Sequence, residues 1–489
     1  MLKKPLHQIS FGLFLLVIIC IPLFWELDKL AFYSLDESFF AIKAWDWLKE
    51  GKYNLQYIPG DHNYYNTKPY LLTWIQAFII DRFGFSEWLF RLPSAIAGLL
   101  TCFLLLWFAR KEFHNTFLGI LTVLILITSG GYVNYHVTRT ADSDAPVILF
   151  LVTALVFFYR YLKYNFKTTD LILFTFALLA ATMIKSIYGL VFIPGMVLYS
   201  LYKQKLKSLI KQKQLYVAVG VFILAVVSYY VYRESVSPGY IAVVLKYELG
   251  RYGHELHIKF NGYFYYLQSL YEWQFSPWIF VLPIGIISVF TEQFKKYKDF
   301  VILCLFSTTI LMLMVSTSQT QLKWYNAPVI PLYAFIAGLG IYITYLWLET
   351  LMNFKAKNKV YFTVFFLLAV FAFPYYKIIN QINEANYTFS HEYFADLVKA
   401  AKTTKPEITR YSILEYGQKQ PHIAFYEKFF QENDGLSFQS KGFDSRFKVG
   451  EKMIVCEKAY FVELDYKIEY EILEKNKGCK LIRILYIKK

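Results

Sequence analysis

Two acidic pairs stand where charge is expensive. Asp36-Glu37 follows the first long apolar run, and Asp142 and Asp144 follow the third, within Thr138-Arg139-Thr140-Ala141-Asp142-Ser143-Asp144-Ala145-Pro146. Carboxylates at a membrane–water boundary are kept against a free-energy cost, which points to chemistry. One carboxylate of such a pair can take a proton from a nucleophile while the other orients a substrate. The plain structural alternative is helix capping, since Asp is a favoured N-cap and Asp144 directly precedes Ala-Pro. Cations recur in the same regions: Lys68-Pro69, Arg139, Lys185, the mixed cluster Glu248, Arg251, His254 and His257, and Lys323 within Gln321-Leu322-Lys323-Trp324-Tyr325. An ammonium or guanidinium there suits a phosphate. Snorkelling, a salt bridge to a nearby carboxylate, a solvated loop and an aromatic belt are the competing roles. Taken together, the residues suit a donor with a lipid tail and a phosphate head. Cations would steady the departing phosphate while a carboxylate takes the acceptor's proton.

The elements that must position these groups follow from hydropathy. Of 489 residues, 56% are hydrophobic and 20% aromatic, in repeated continuous runs near span length. That pattern predicts a mainly α, polytopic membrane protein rather than a soluble chain or a β-barrel. Eleven spans are expected, at about 9–28, 91–110, 116–134, 145–162, 170–185, 187–202, 215–232, 277–292, 299–316, 326–348 and 359–376. The net charge of +15 is no argument for nucleic acid, because the Lys and Arg residues fall in loops after every second span. Arg110-Lys111, Arg160 with Lys163, the lysines of 203–213, 295–298 and 355–359 mark those loops as cytoplasmic. The first run reads as a retained signal anchor with a cytoplasmic N-terminus, since a small-residue cleavage site is lacking. Both acidic pairs then lie outside the cytoplasm.

Three outer regions are long. In the first loop, Ser38–Lys49 and Tyr70–Arg82 have helical spacing and read as interfacial helices around an irregular Gln56–Lys68 stretch. The tail is predicted to form a small extracytoplasmic α/β domain, 377–489, beside a transmembrane domain of 1–376. Its expected elements are a helix at His391–Lys402 and strands at Tyr411–Tyr416, Lys452–Val455 and Leu481–Ile487. Cys456 and Cys479 fall in that tail, where a disulfide is open to them. No Cys or His spacing of metal type occurs, so no metal ligands are assigned, and a divalent-cation requirement is left open.

The motifs, in order, resemble a known family. Asp36-Glu37, then Lys68-Pro69-Tyr70-Leu71-Leu72-Thr73-Trp74, Gly84-Phe85-Ser86-Glu87, Arg91-Leu92-Pro93-Ser94 and Thr138-Arg139-Thr140 with Asp144-Ala145-Pro146 look like the signatures of the C-type membrane glycosyltransferases. The likeness is to the group of protein O-mannosyltransferases and lipid A aminoarabinose transferases. It departs from the aminoarabinose enzymes at Thr67, at Phe39-Phe40 and at Tyr70. The resemblance implies transfer of a sugar, with inversion, from a polyprenyl-phosphate carrier such as undecaprenyl phosphate to a glycan, lipid or protein acceptor outside the cytoplasm of a bacterial inner membrane. It implies Asp36 as the main catalytic carboxylate, with Glu37 and Asp144. Lys68, Arg139, Arg251, Lys323 and Tyr325 are candidates for the donor phosphate and sugar. The rival readings are a lipid-linked polysaccharide ligase or polymerase, a transporter or flippase, and a sensor using the tail as its binding module. A transporter would be expected to show inverted repeats and broken helices, which this chain does not suggest.

Overall fold

A chain crossing lipid must satisfy its backbone groups within each segment, so long apolar runs become helices. The computed structural model describes residues 5–34, 36–50, 67–249, 260–352, 355–415 and 419–488. Among the described residues, each of the eleven predicted segments holds an apolar helix. Seven are long and apolar enough to cross a membrane: Glu87–Phe113, Asp144–Lys163, Thr168–Leu190, Lys213–Val236, Lys295–Thr317, Val329–Met352 and Asn358–Asn383. Four are shorter: Ser10–Phe24, Thr116–Ile127, Ile193–Tyr202 and Trp278–Ser288. The third predicted span, 116–134, stops at Ile127, and the residues that follow form an irregular, largely buried segment from 128 to 143.

The chain divides into two compact units. The first comprises Met1–Glu26, Thr67–Ile75 and Arg91–Glu384. Its helices share one apolar core, which Phe108, Phe113, Phe300 and Phe335 join from three different helices. Helix packing in lipid relies on close backbone approach at small residues. Gly285 illustrates this, since a Cβ there would lie 2.1 Å from the Ile336 carbonyl oxygen of the neighbouring helix. Basic residues of different loops converge in this unit. Glu112 takes the Arg160 guanidinium, the Lys163 ammonium at 2.9 Å and the Tyr164 hydroxyl. Arg160 also pairs with Asp170 at 3.0 Å, and Lys203 with Asp299 at 2.8 Å. The loops that the charge rule assigns to one side therefore meet.

The second unit comprises Leu27–Asn66, Gln76–Phe90 and Ala385–Lys489, so part of the first loop folds with the tail. Its sheet has five strands: β1 Arg410–Leu414, β2 Ser437–Lys441, β3 Lys452–Val455, β4 Ile468–Lys475 and β5 Lys480–Ile487. The order is β2-β1-β3-β5-β4. β1 runs parallel to β2 and β3, while β5 runs antiparallel to β3 and β4. The three predicted strands are β1, β3 and β5. The expected tail helix is Phe394–Thr404, preceded by a 3-10 turn. Cys456 and Cys479 are bridged, tying the end of β3 to the start of β5. The first predicted loop helix is Asp36–Glu50, and it packs on Pro421–Asp434. Trp45 Nε1 donates to Glu432 at 3.0 Å, and Lys428 pairs with Asp46. Phe85, Phe425 and Phe429 cluster around Trp45.

Candidate active site

The helices Asp144–Lys163 and Thr168–Lys185 form an antiparallel hairpin around a turn of four residues, so the start of one must lie beside the end of the other. That geometry places Lys185 Nζ 2.7 Å from Asp144 Oδ1. Both are buried, and each charge complements the dipole of the helix end on which it sits. Sequence alone left Lys185 between a structural and a catalytic role. The structure gives it a buried carboxylate partner and sets it 4.7 Å from the Tyr188 ring and 5.9 Å from the Tyr325 ring.

The irregular segment 128–143 carries the second acidic group. Asp142 is buried. Its Oδ2 accepts the Thr140 hydroxyl at 2.6 Å and lies 3.0 Å from His136 Nδ1. Burial alone would push the Asp142 carboxyl up. The His136 ring, the Thr140 hydroxyl and Lys68 outweigh it and hold the group below its ordinary value. His136 adopts a left-handed backbone, with φ of 65°, which costs free energy and persists because its surroundings hold it. Its N–H donates to Thr140 Oγ1 at 2.8 Å, and its ring stacks on Trp324 at 3.5 Å. His136 was not singled out from the sequence, because a lone histidine outside any motif gives no signal.

Lys68 reaches the same region from a short strap that ends in the Leu71–Phe83 helix, and both Asp142 and Asp144 lie within its electrostatic range. The strap is clamped by Arg233, which sequence reading also missed. Arg233 is the buried residue of a helix whose other residues are exposed or half-buried. Its guanidinium lies 4.3 Å from the Tyr70 ring and 4.5 Å from the Tyr240 ring, and the Tyr240 hydroxyl donates to the Thr67 carbonyl at 3.3 Å. A cavity of about 200 Å³ opens here. Lys68, Lys185, Tyr188, Glu248 and Tyr325 line its polar part, and Ile187, Leu190, Val191, Pro194, Met314 and Val315 its apolar part. Such a cleft offers cations to a phosphate and hydrocarbon to a lipid tail.

The other predicted residues are placed as follows. Arg139 donates to the carbonyls of Pro22 at 2.9 Å, Trp25 at 2.8 Å and Glu26 at 3.0 Å. It thus caps the end of the first helix, a use of guanidinium that neither the phosphate nor the salt-bridge reading anticipated. Lys323 is exposed, and its carbonyl accepts from Gln274 at 2.6 Å. Tyr325 takes the Tyr188 hydroxyl on its own carbonyl at 2.5 Å, leaving its ring at the cavity wall. Arg251, His254 and His257 lie outside the described residues. In the second unit, Asp36 opens its helix half-buried, and Glu37 is buried with Oε2 accepting the Tyr33 N–H at 3.0 Å.

The chain has the fold of ArnT from Cupriavidus metallidurans. Its TM-score is 0.70 against the crystal structure bound to undecaprenyl phosphate and 0.67 against the apo state, at 15% identity over 97% of this chain and 98% of that one. The Archaeoglobus fulgidus oligosaccharyltransferase shares the fold with a TM-score of 0.51, at 10% identity over 96% of this chain and 73% of that one. The resemblance to the C-type membrane glycosyltransferases stands: residues 67–232 match the family model described as dolichyl-phosphate-mannose-protein mannosyltransferase. An uncharacterized protein of Aquifex aeolicus (strain VF5) is 29% identical over 231 residues, and the match spans 45% of this chain and 45% of that relative's length.

Proposed function

We propose that this protein is a polyprenyl-phosphate-sugar-dependent glycosyltransferase. It moves a hexosyl or pentosyl group, with inversion, to a glycan, lipid or protein acceptor on the extracytoplasmic side of a bacterial inner membrane. The single observation that carries the reading is the cleft lined by Lys68 and Lys185 together with hydrocarbon side chains. Its chemistry matches a lipid-tailed phosphate, and undecaprenyl phosphate is the ligand in the crystal of the structurally similar ArnT. The disulfide Cys456–Cys479 supports an oxidising compartment for the tail.

In the proposed reaction an acceptor hydroxyl or amine attacks the anomeric carbon from the face opposite the phosphate. The new bond forms as the carbon–oxygen bond to the phosphate breaks, and the carrier leaves as polyprenyl phosphate. Asp36 receives the acceptor's proton. Lys68, with Tyr325 at the wall, steadies the negative charge that accumulates on the leaving phosphate. Lys185 holds Asp144 in place through their ion pair. Glu37 closes the turn beside Asp36. Arg251 remains a candidate for the phosphate, whereas Arg139 and Lys323 do not enter the proposed step.

The test supplies purified full-length protein with a panel of undecaprenyl-phosphate-linked sugars and membrane extracts as acceptor, and measures released undecaprenyl phosphate by mass spectrometry. Asp36→Asn is expected to reduce release at least a thousandfold while membrane insertion is unchanged. Turnover near that of the wild type in this variant would remove Asp36 from the mechanism.

A further inference from the structure

The backbone leading into Asp36 lies outside helix and strand, so its N–H groups have no ladder to join and must find side chains. That of Tyr33 goes to Glu37, and those of Ala31, Phe32 and Ser34 find them in the tail, more than 350 residues away. Glu392 is 3% exposed, and its two oxygens take three N–H groups: Ser34 at 2.9 Å on Oε1, and Thr388 at 3.0 Å with Phe389 at 2.9 Å on Oε2. The buried Tyr426 hydroxyl accepts the Phe32 N–H at 2.9 Å and donates to Glu87 at 2.8 Å. The Tyr387 hydroxyl accepts the Ala31 N–H and donates to Asp396 at 2.9 Å. Immediately after Asp36, the helix it opens is docked on the tail through Trp45 and Asp46. The chain is therefore fastened to one scaffold on both sides of Asp36, all within the second unit.

We infer that the C-terminal α/β fold is the positioning scaffold of the Asp36 turn, with Glu392 and Tyr426 as positioning residues for the base. This rests on the proposed role of Asp36. A base displaced by about 1 Å can lose about a hundredfold in rate, so hydrogen bonds to residues 32 and 34 govern chemistry that they do not touch. The tail is then part of the catalytic apparatus without contributing a catalytic residue.

Two variants of the full-length protein test this. Glu392→Gln keeps the side-chain volume but exchanges one acceptor oxygen for a donor. Tyr426→Phe removes only a hydroxyl. Hydrogen exchange is followed over residues 31–38, with strands β3 and β5 as reference, alongside release of undecaprenyl phosphate from the undecaprenyl-phosphate sugars. The expected result is at least tenfold faster exchange over 31–38 with the strands unchanged. It is accompanied by a tenfold to hundredfold lower kcat, a carrier KM within twofold of wild type, and no further loss when either variant is added to Asp36→Asn. Unchanged exchange over 31–38 in both variants overturns the scaffold. Faster exchange with unchanged kcat also overturns it, provided Asp36→Asn is inactive, and this outcome leaves the role of Asp36 intact. An active Asp36→Asn protein instead sinks the role of Asp36, and the inference with it. Should Glu392→Gln loosen the strands as well, Tyr426→Phe decides by the same two readouts.

Discussion

Asp144 and Lys185 lie 2.7 Å apart with little solvent around them. Such a pair gains little net stability, because desolvation offsets the attraction, but removing one partner strands a buried charge. Lys185→Met is expected to destabilise the protein by ~3–5 kcal/mol, the usual cost of breaking a buried pair. Adding Asp144→Asn should restore most of the melting temperature in detergent without restoring turnover; a single variant as stable as wild type would show that the pair is not load-sharing. His422 makes the opposite case, a buried group kept neutral. Its Nε2–H donates to the His391 carbonyl at 2.9 Å, and burial, more than the adjacent His391 ring, drives its pKa from 6.5 down to about 3. Glu392 and Glu457 act on His391 from the same surroundings. With the folded pKa depressed, the unfolded state binds the proton first. Stability is therefore full above about pH 6.5 and is lost as pH falls toward 3, by up to about 1.4 kcal/mol per pH unit. Chemical unfolding followed against pH checks this, and the slope should flatten in His422→Gln.

At the scale of elements, the strap that carries Lys68 depends on the clamp of Arg233 between Tyr70 and Tyr240. A planar guanidinium stacks on rings in a way that an ammonium does not. Arg233→Lys is expected to raise the carrier KM about tenfold through displacement of Lys68, with kcat much less affected. A normal KM would mean that the strap holds without it. The motif Lys68-Pro69 was legible in the sequence, yet its clamp was not, since Arg233 ends an apolar run and reads there as an ordinary boundary cation. The same asymmetry holds along the tail. Strands β1, β3 and β5 have apolar residues in short β-branched runs and were read from them. Strand β2 is polar and mostly exposed, so hydropathy did not mark it, whereas β4 was missed although Ile468-Glu469-Tyr470-Glu471-Ile472 alternates with the period of a strand.

For the molecule as a whole, the charge rule makes a statement about sides. Residues that it assigns to one side meet as the Glu112, Arg160, Lys163 and Asp170 cluster. Residues that it assigns to the other side, at 68, 185 and 325, line one cleft, and Asp142 lies within the electrostatic range of Lys68. The absolute orientation is open to a direct check. An alkaline phosphatase fused after Lys488 should be active, and one fused within the lysine-rich stretch at 205–211 should be inactive. The reverse pattern would place the proposed site on the wrong side of the membrane.

Hydropathy and charge are summed over tens of residues, so the sequence by itself determined the membrane class, the positions of the apolar helices, the grouping of their loops and the acidic and Lys-Pro motifs. Contacts between residues far apart in the chain leave no such periodic trace. Only the tertiary structure decided that Lys185 answers Asp144, that His136 answers Asp142 and that Arg139 caps a helix. It also decided that the N–H groups of Ala31, Phe32 and Ser34 are held by side chains of the tail. Each of these depends on the angle and register at which two elements pack, which side-chain shape sets and composition does not encode.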